Sequence, residues 1–246
     1  MRTLKAFFLS LLASSLPAFA HNVAAKDAEF LKQNAGAQII PFVYLGAKHM
    51  VTGYDHLLFL LGVIFFLYRM KDVAVYVTCF AVGHSITLLT GVLTGIHLNP
   101  FIVDAIIGLS VVYKAFDNLD GFRTLFGFQP NTKATVLMFG LFHGFGLATK
   151  LQELSLSKEG LVGNMLSFNL GVEFGQLIAL SVILLFMTMW RRTSDFVKHA
   201  VLANVAIMTA GFLLMAYQLG GYYDEQKNGP APKPAAQELV KDGIRG

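Results

Sequence analysis

Cysteine is almost absent from this 246-residue chain, and the one present, Cys79, sits inside an apolar run. A disulfide framework and a thiolate metal site are therefore both excluded within the chain, so any metal must be held through nitrogen and oxygen. Charge is scarce too, with Asp, Glu, Lys and Arg making up 14% of the residues. No basic stripe interleaved with aromatics occurs, which argues against a nucleic-acid partner. No nucleotide-binding loop occurs, nor does either hydrolase string, His-Glu-x-x-His or Gly-x-Ser-x-Gly.

Apolar sequence fills the space left. Hydrophobic residues reach 55% and the mean hydropathy is +0.58, far above an ordinary soluble domain. Lipid is the expected solvent, and the expected fold is all-α, a polytopic bundle of about six transmembrane helices. The net charge of +4 then reads as basic cytoplasmic loops.

The first residues have the form of a signal peptide: Arg2 and Lys5, the apolar run from Ala6 to Leu12, and small residues ending Leu16-Pro-Ala-Phe-Ala20. Cleavage after Ala20 would expose His21, whose α-amino group and imidazole together form a chelate, making it a secondary metal candidate. Residues 21–45 read as a periplasmic lead-in. Spans, each near the roughly 20 apolar residues a bilayer needs, are expected at 46–68, 73–95, 100–118, 133–150, 163–190 and 198–219. The tail 220–246, with Pro230, Pro232 and Pro234 among charges, is expected to be flexible. Arg69, Lys71, Arg123, Lys133, Arg191, Arg192 and Lys198 fall in the odd loops, which places those in the cytoplasm and both mature termini in the periplasm of a bacterial inner membrane.

Ionisable groups inside spans carry the functional signal, because each is costly unless paired or solvated within protein. The first span opens with His49-Met-Val-Thr-Gly-Tyr-Asp55-His56. On a helix His49 and His56 share a face two turns apart, and Gly53 between them can loosen the backbone and bring His49 toward Asp55. The second span carries His84 beside Ser85, the third Asp104, and the fourth His143 in Phe-His-Gly-Phe-Gly. The fifth presents Asn169, Glu173 and Gln176 as one polar stripe. A rise of about 1.5 Å per residue puts all of them between the outer surface and the midplane. His49, Asp55, His56, His84, His143 and Glu173 are the metal-ligand candidates. Asp104, Asn169 and Gln176 are secondary, the two amides being suited to helix–helix hydrogen bonds. His97 and His199, at the edges, read as solvated surface residues, and the Met and Phe content as packing.

The blocks His49-x5-Asp55-His56-Leu-Leu-Phe-Leu, Gly83-His84-Ser85-Ile-Thr-Leu, Phe139-Gly-Leu-Phe-His143-Gly-Phe-Gly and Phe168-Asn169-Leu-Gly-Val-Glu173-Phe-Gly-Gln176-Leu resemble the HupE/UreJ family of bacterial membrane proteins in order and spacing. The resemblance runs over roughly residues 45 to 180. It implies a nickel permease, with His49, Asp55 and His56 recognising the metal and His84, His143 and Glu173 lining its path. The partners expected are the lipid bilayer, a divalent metal ion, and either a metalloenzyme-maturation partner or a second copy of the chain. Where the family pattern has Glu early in the third span, this chain has the shorter Asp104.

No prosthetic group is expected. Imidazole and carboxylate suit Ni²⁺, Co²⁺, Zn²⁺ and Cu²⁺ alike, so the donor set does not select among them. A metal-dependent intramembrane hydrolase using Ser85, and a non-transporting accessory protein, are the competing expectations.

Overall fold

The polar blocks lie on helices, the first of them on two, in the computed structural model, which describes residues 36–67, 69–152 and 159–229. The expected signal peptide, His21 and residues 230–246 of the tail lie outside the described residues. The helices are α1 (Ile39–Thr52), α2 (Tyr54–Ile64), α3 (Met70–Thr94), α4 (Pro100–Asn118), α5 (Gly121–Phe126), α6 (Thr132–Gln152), α7 (Leu161–Arg191) and α8 (Phe196–Asn228), and no strand occurs among the described residues. Four of them, α3, α6, α7 and α8, are long and apolar enough to cross a membrane.

The first expected span is two helices rather than one. Gly53 adopts φ −75° and ψ 102°, an extended conformation that ends α1 and serves as the N-cap of α2. Its N–H still donates to the His49 carbonyl at 3.0 Å, and its own carbonyl accepts from Leu57 N–H at 3.1 Å. Two backbone hydrogen bonds therefore bridge the break, which limits its cost at membrane depth. The third expected span, α4, has 19 residues but carries Asp104, Lys114 and Asp117. Lys114 pairs with Asp117 one turn on, and Asn99 caps the helix by accepting from the N–H groups of Phe101 and Ile102. At its far end α8 continues through Asn228, past residue 219.

Small residues set the packing. Lipid tails are as apolar as leucine, so membrane helices associate through close contact and hydrogen bonds rather than through hydrophobicity. A methyl group on Gly83 would strike the Leu137 carbonyl, and one on Gly144 the carbonyl of His84, so α3 and α6 touch along their backbones. In the same way Gly46 and Gly171 seat α1 on α7, and Gly108 and Gly211 seat α4 on α8. Among the described residues six of the helices form three such pairs, with α2 packed between α4 and α7.

Side chains close the remaining ends. The guanidinium of Arg191, in the last turn of α7, donates to the carbonyls of Ile64 (2.5 Å), Phe65 (2.7 Å) and Leu67 (2.8 Å) at the end of α2. Ile64 is the last residue of α2, where carbonyls run out of intrahelical donors, and Phe65 and Leu67 follow it. At the opposite side Gln152, ending α6, donates to Gly91 and Ile96 at the end of α3. Hence α2 and α7 run in one direction, and α3 and α6 in the other.

Candidate metal centre

The Gly53 break lets two residues of the short α2 face the rest of the bundle. Asp55 and His56 occupy its first turn and are 2% and 0% exposed. On an unbroken helix His49 and His56 would be separated by a rise of about 10 Å. Here their ring centroids are 5.1 Å apart. His84 from α3 and His143 from α6 complete the cluster, both fully buried. Ring centroids lie 6.4 Å from His56 to His84 and 4.8 Å from His56 to His143.

Ligand atoms converge in two groups. One each from His49, His56 and His84, and one each from Asp55, His56 and His143, lie within 4.8 Å of one another. His56 belongs to both. Four helices therefore supply two overlapping sets of nitrogen and oxygen donors, the chemistry that holds borderline divalent ions.

A second layer fixes which nitrogen of each buried histidine can bind. His56 Nδ1 lies 3.2 Å from Asp55 Oδ1, and His84 Nδ1 lies 3.2 Å from Asn169 Oδ1. An acceptor oxygen facing Nδ1 favours the tautomer that keeps Nε2 for an ion. His143 Nε2 lies 3.4 Å from Ser110 Oγ. That hydroxyl already donates to the Ile107 carbonyl at 2.6 Å, so it accepts from His143 and leaves the lone pair on Nδ1. Metal-binding histidines are characteristically held this way, one nitrogen donating to an oxygen while the other faces the ion.

Phenylalanines close one side. Phe59, Phe80 and Phe139 each sit one helical turn from a cluster residue, toward the Arg191 end. Phe59 meets Phe80 at 5.6 Å and Phe139 at 5.9 Å between centroids, and Phe80 lies 5.0 Å from His143. All three are at most 4% exposed.

The other expected residues fall elsewhere. Asn169 joins α7 to the centre through His84. Asp104, on the opposite side from the phenylalanines, pairs with Lys150 at 2.9 Å. Glu173 is exposed on α7 and belongs to neither ligand group. Gln176 is fully buried, and neither of its amide atoms has a hydrogen-bond partner among the described residues. Ser85 makes no hydrogen bond to a histidine among the described residues, and the hydroxyl at the cluster is that of Ser110. Sequence reading passed over Ser110 and the three phenylalanines. A signal for the latter existed, since Phe80 and Phe139 precede His84 and His143 by four residues and Phe59 follows His56 by three, all spacings that share a helix face.

An all-helical protein with several membrane-crossing helices and a buried histidine and carboxylate centre is the class these features define. The chain matches the family described as HupE / UreJ protein over residues 25–226 and belongs to that family. No curated protein and no solved structure matches it.

Proposed function

We propose that this protein is an inner-membrane permease for a divalent transition metal, with Ni²⁺ the leading substrate and Co²⁺ next. The observation that carries the reading is the sharing of His56 between two ligand groups. A storage or structural site needs one closed ligand set. Two overlapping sets with a common imidazole suit an ion that enters on one set and leaves on the other, since conduction needs positions that bind and also release. The ion, captured from the periplasmic side with both termini on that side, loses water to His49, His56 and His84. It then shifts to Asp55, His56 and His143. The phenylalanine floor closes the far side in this conformation, and alternating access requires it to open in another.

Donor chemistry ranks copper above nickel, so membership in the HupE/UreJ family is what favours nickel. With no nucleotide loop in the sequence, the driving force is an ion gradient, the membrane potential or a partner. The test is uptake of radiolabelled Ni²⁺ into metal-starved cells expressing wild type or His56→Ala at matched membrane levels, with Co²⁺, Zn²⁺ and Cu²⁺ as competitors. Accumulation that requires His56 is expected, and the competitor order ranks the ions. Metal binding by purified protein with no accumulation above background would instead assign an accessory role in metalloenzyme maturation.

A further inference from the structure

Large apolar side chains gather on the connection between α4 and α6. Leu125, Phe126 and Phe128 are 69%, 61% and 57% exposed. Phe122, Phe126 and Phe128 form one aromatic group, with ring centroids 6.2 to 6.3 Å apart. The exposed leucines and valines of α3, α7 and α8 lie along membrane-crossing helices and meet lipid tails as any span does. This group differs, because it sits on the six-residue α5 and the turn after it, a segment too short to cross a bilayer. A contiguous apolar patch on such a segment marks a surface that meets a partner.

Packing sets its depth. The Phe122 ring lies 4.7 Å from Tyr113 and 4.9 Å from Phe116 between centroids, and a methyl group on Gly121 would strike the Phe116 ring. Tyr113 and Phe116 belong to the last two turns of α4, and the Tyr113 hydroxyl lies 3.2 Å from that of Thr135 in the first turn of α6. Hence α5 folds back beside the helix ends instead of projecting beyond them, at the depth where α6 enters the membrane. Charge at this end is mostly positive. Arg69, Lys71, Arg123, Lys133, Arg192 and Lys198 are exposed there, against the exposed acids Asp72 and Asp120. Asp120 faces Arg123 at 3.8 Å with both side chains open to solvent, a surface pair that gains little and leaves the guanidinium free to take another anion.

We infer that α5 and the turn after it form a docking surface for anionic phospholipid in the leaflet on the Arg191 side. Leu125, Phe126 and Phe128 enter the boundary between headgroups and acyl chains, where aromatic side chains favour membrane proteins most. Arg123 and Lys133 take the lipid phosphates, as basic groups beside a membrane surface do. A free anion would be served by the basic groups alone, and an apolar partner by the phenylalanines alone. Both kinds of group on one short segment fit a molecule that carries a negative headgroup and hydrocarbon together. The inference stands whether or not the protein transports metal.

The experiment uses the full protein in vesicles of phosphatidylcholine containing a minor fraction of phosphatidylglycerol, with Phe126→Trp and, as a second position, Phe128→Trp. Trp190 is the one tryptophan of the chain, so subtracting the wild-type emission isolates the added indole. That difference emission should be shifted to the blue, quenched by lipids with brominated chains and little affected by aqueous iodide. Brominated phosphatidylglycerol should quench at least about twice as strongly as brominated phosphatidylcholine at the same mole fraction. Adding Arg123→Gln and Lys133→Gln should abolish that preference and leave quenching by brominated lipid in place. Strong quenching by iodide with none by brominated lipid would put the segment in water and overturn the inference. Quenching by neither would show it covered by protein, such as a second copy of the chain, and would overturn it too. Equal quenching by the two brominated lipids would refute the anionic headgroup as the ligand.

Discussion

His56 and His143 set their imidazoles edge to face, with centroids 4.8 Å apart and planes at 73°, although one rides on an 11-residue helix and the other on a helix of 21 residues. His56 is thereby within reach of His143 and Asp55 on one side and of His49 and His84 on the other. Single substitutions should separate these roles.

Replacing His56 with alanine removes a ligand from both groups, and Ni²⁺ binding measured by calorimetry is expected to vanish. His49→Ala and His143→Ala each remove a ligand from one group, so each should leave measurable binding. Equal loss in all three variants would show one site rather than two overlapping ones.

Ser110→Ala and Asn169→Leu leave every ligand in place and remove the oxygens that orient His143 and His84. Loss of such supporting contacts commonly weakens metal binding about 10- to 100-fold. Titration of the purified variants should fall in that range with stoichiometry unchanged. Wild-type affinity would mean that packing alone orients the rings.

Gly53→Ala is predicted to disable the centre without unfolding the protein. The backbone angles at Gly53 are open to alanine, but its Cβ would lie 2.6 Å from His56 Nδ1 and 3.2 Å from Asp55 Oδ1. At the shorter distance something must shift, which disturbs the contact between His56 and Asp55. Helicity by circular dichroism should persist while Ni²⁺ uptake falls at least about tenfold, the scale of a lost orienting contact.

Arg191→Ala strips charged donors from three carbonyls at the end of α2. Hydrogen bonds to a charged group contribute about 1.5–3 kcal/mol each, and they are not additive, so a loss of about 3 kcal/mol or more is expected, read as a lower melting temperature in detergent. Arg191→Lys should recover only part, since an ammonium lacks the planar fork.

Metal uptake should fall as external pH drops through the range where imidazoles protonate. A proton and the ion compete for the same nitrogen lone pair, so the neutral form binds and the protonated form does not. Uptake of Ni²⁺ that stays flat from neutral to mildly acidic pH would argue against histidine ligation.

Much of this was legible in the chain itself. Long apolar stretches dictate helices in lipid, because only a helix satisfies its own backbone there, and α3, α6, α7 and α8 follow from that alone. His49, Asp55, His56, His84 and His143 stood out because ionisable groups are too costly in hydrocarbon to be incidental. Glycines beside such residues suit close helix contact, and Gly83 and Gly144 do lie against backbone of the neighbouring helix.

Tertiary structure alone decided how these residues meet. A hydropathy pattern fixes a helix's existence but not its rotation or its partners, and those depend on which surfaces fit. That is why Glu173, one turn from Asn169 on a common stripe, points outward while Asn169 reaches His84. It is also why Ser110, an unremarkable serine in sequence, orients His143. The extended turn at Gly53 belongs to the same class: glycine permitted it, but the packing of α2 against α4 and α7 and the grip of Arg191 on its end determine that it is used.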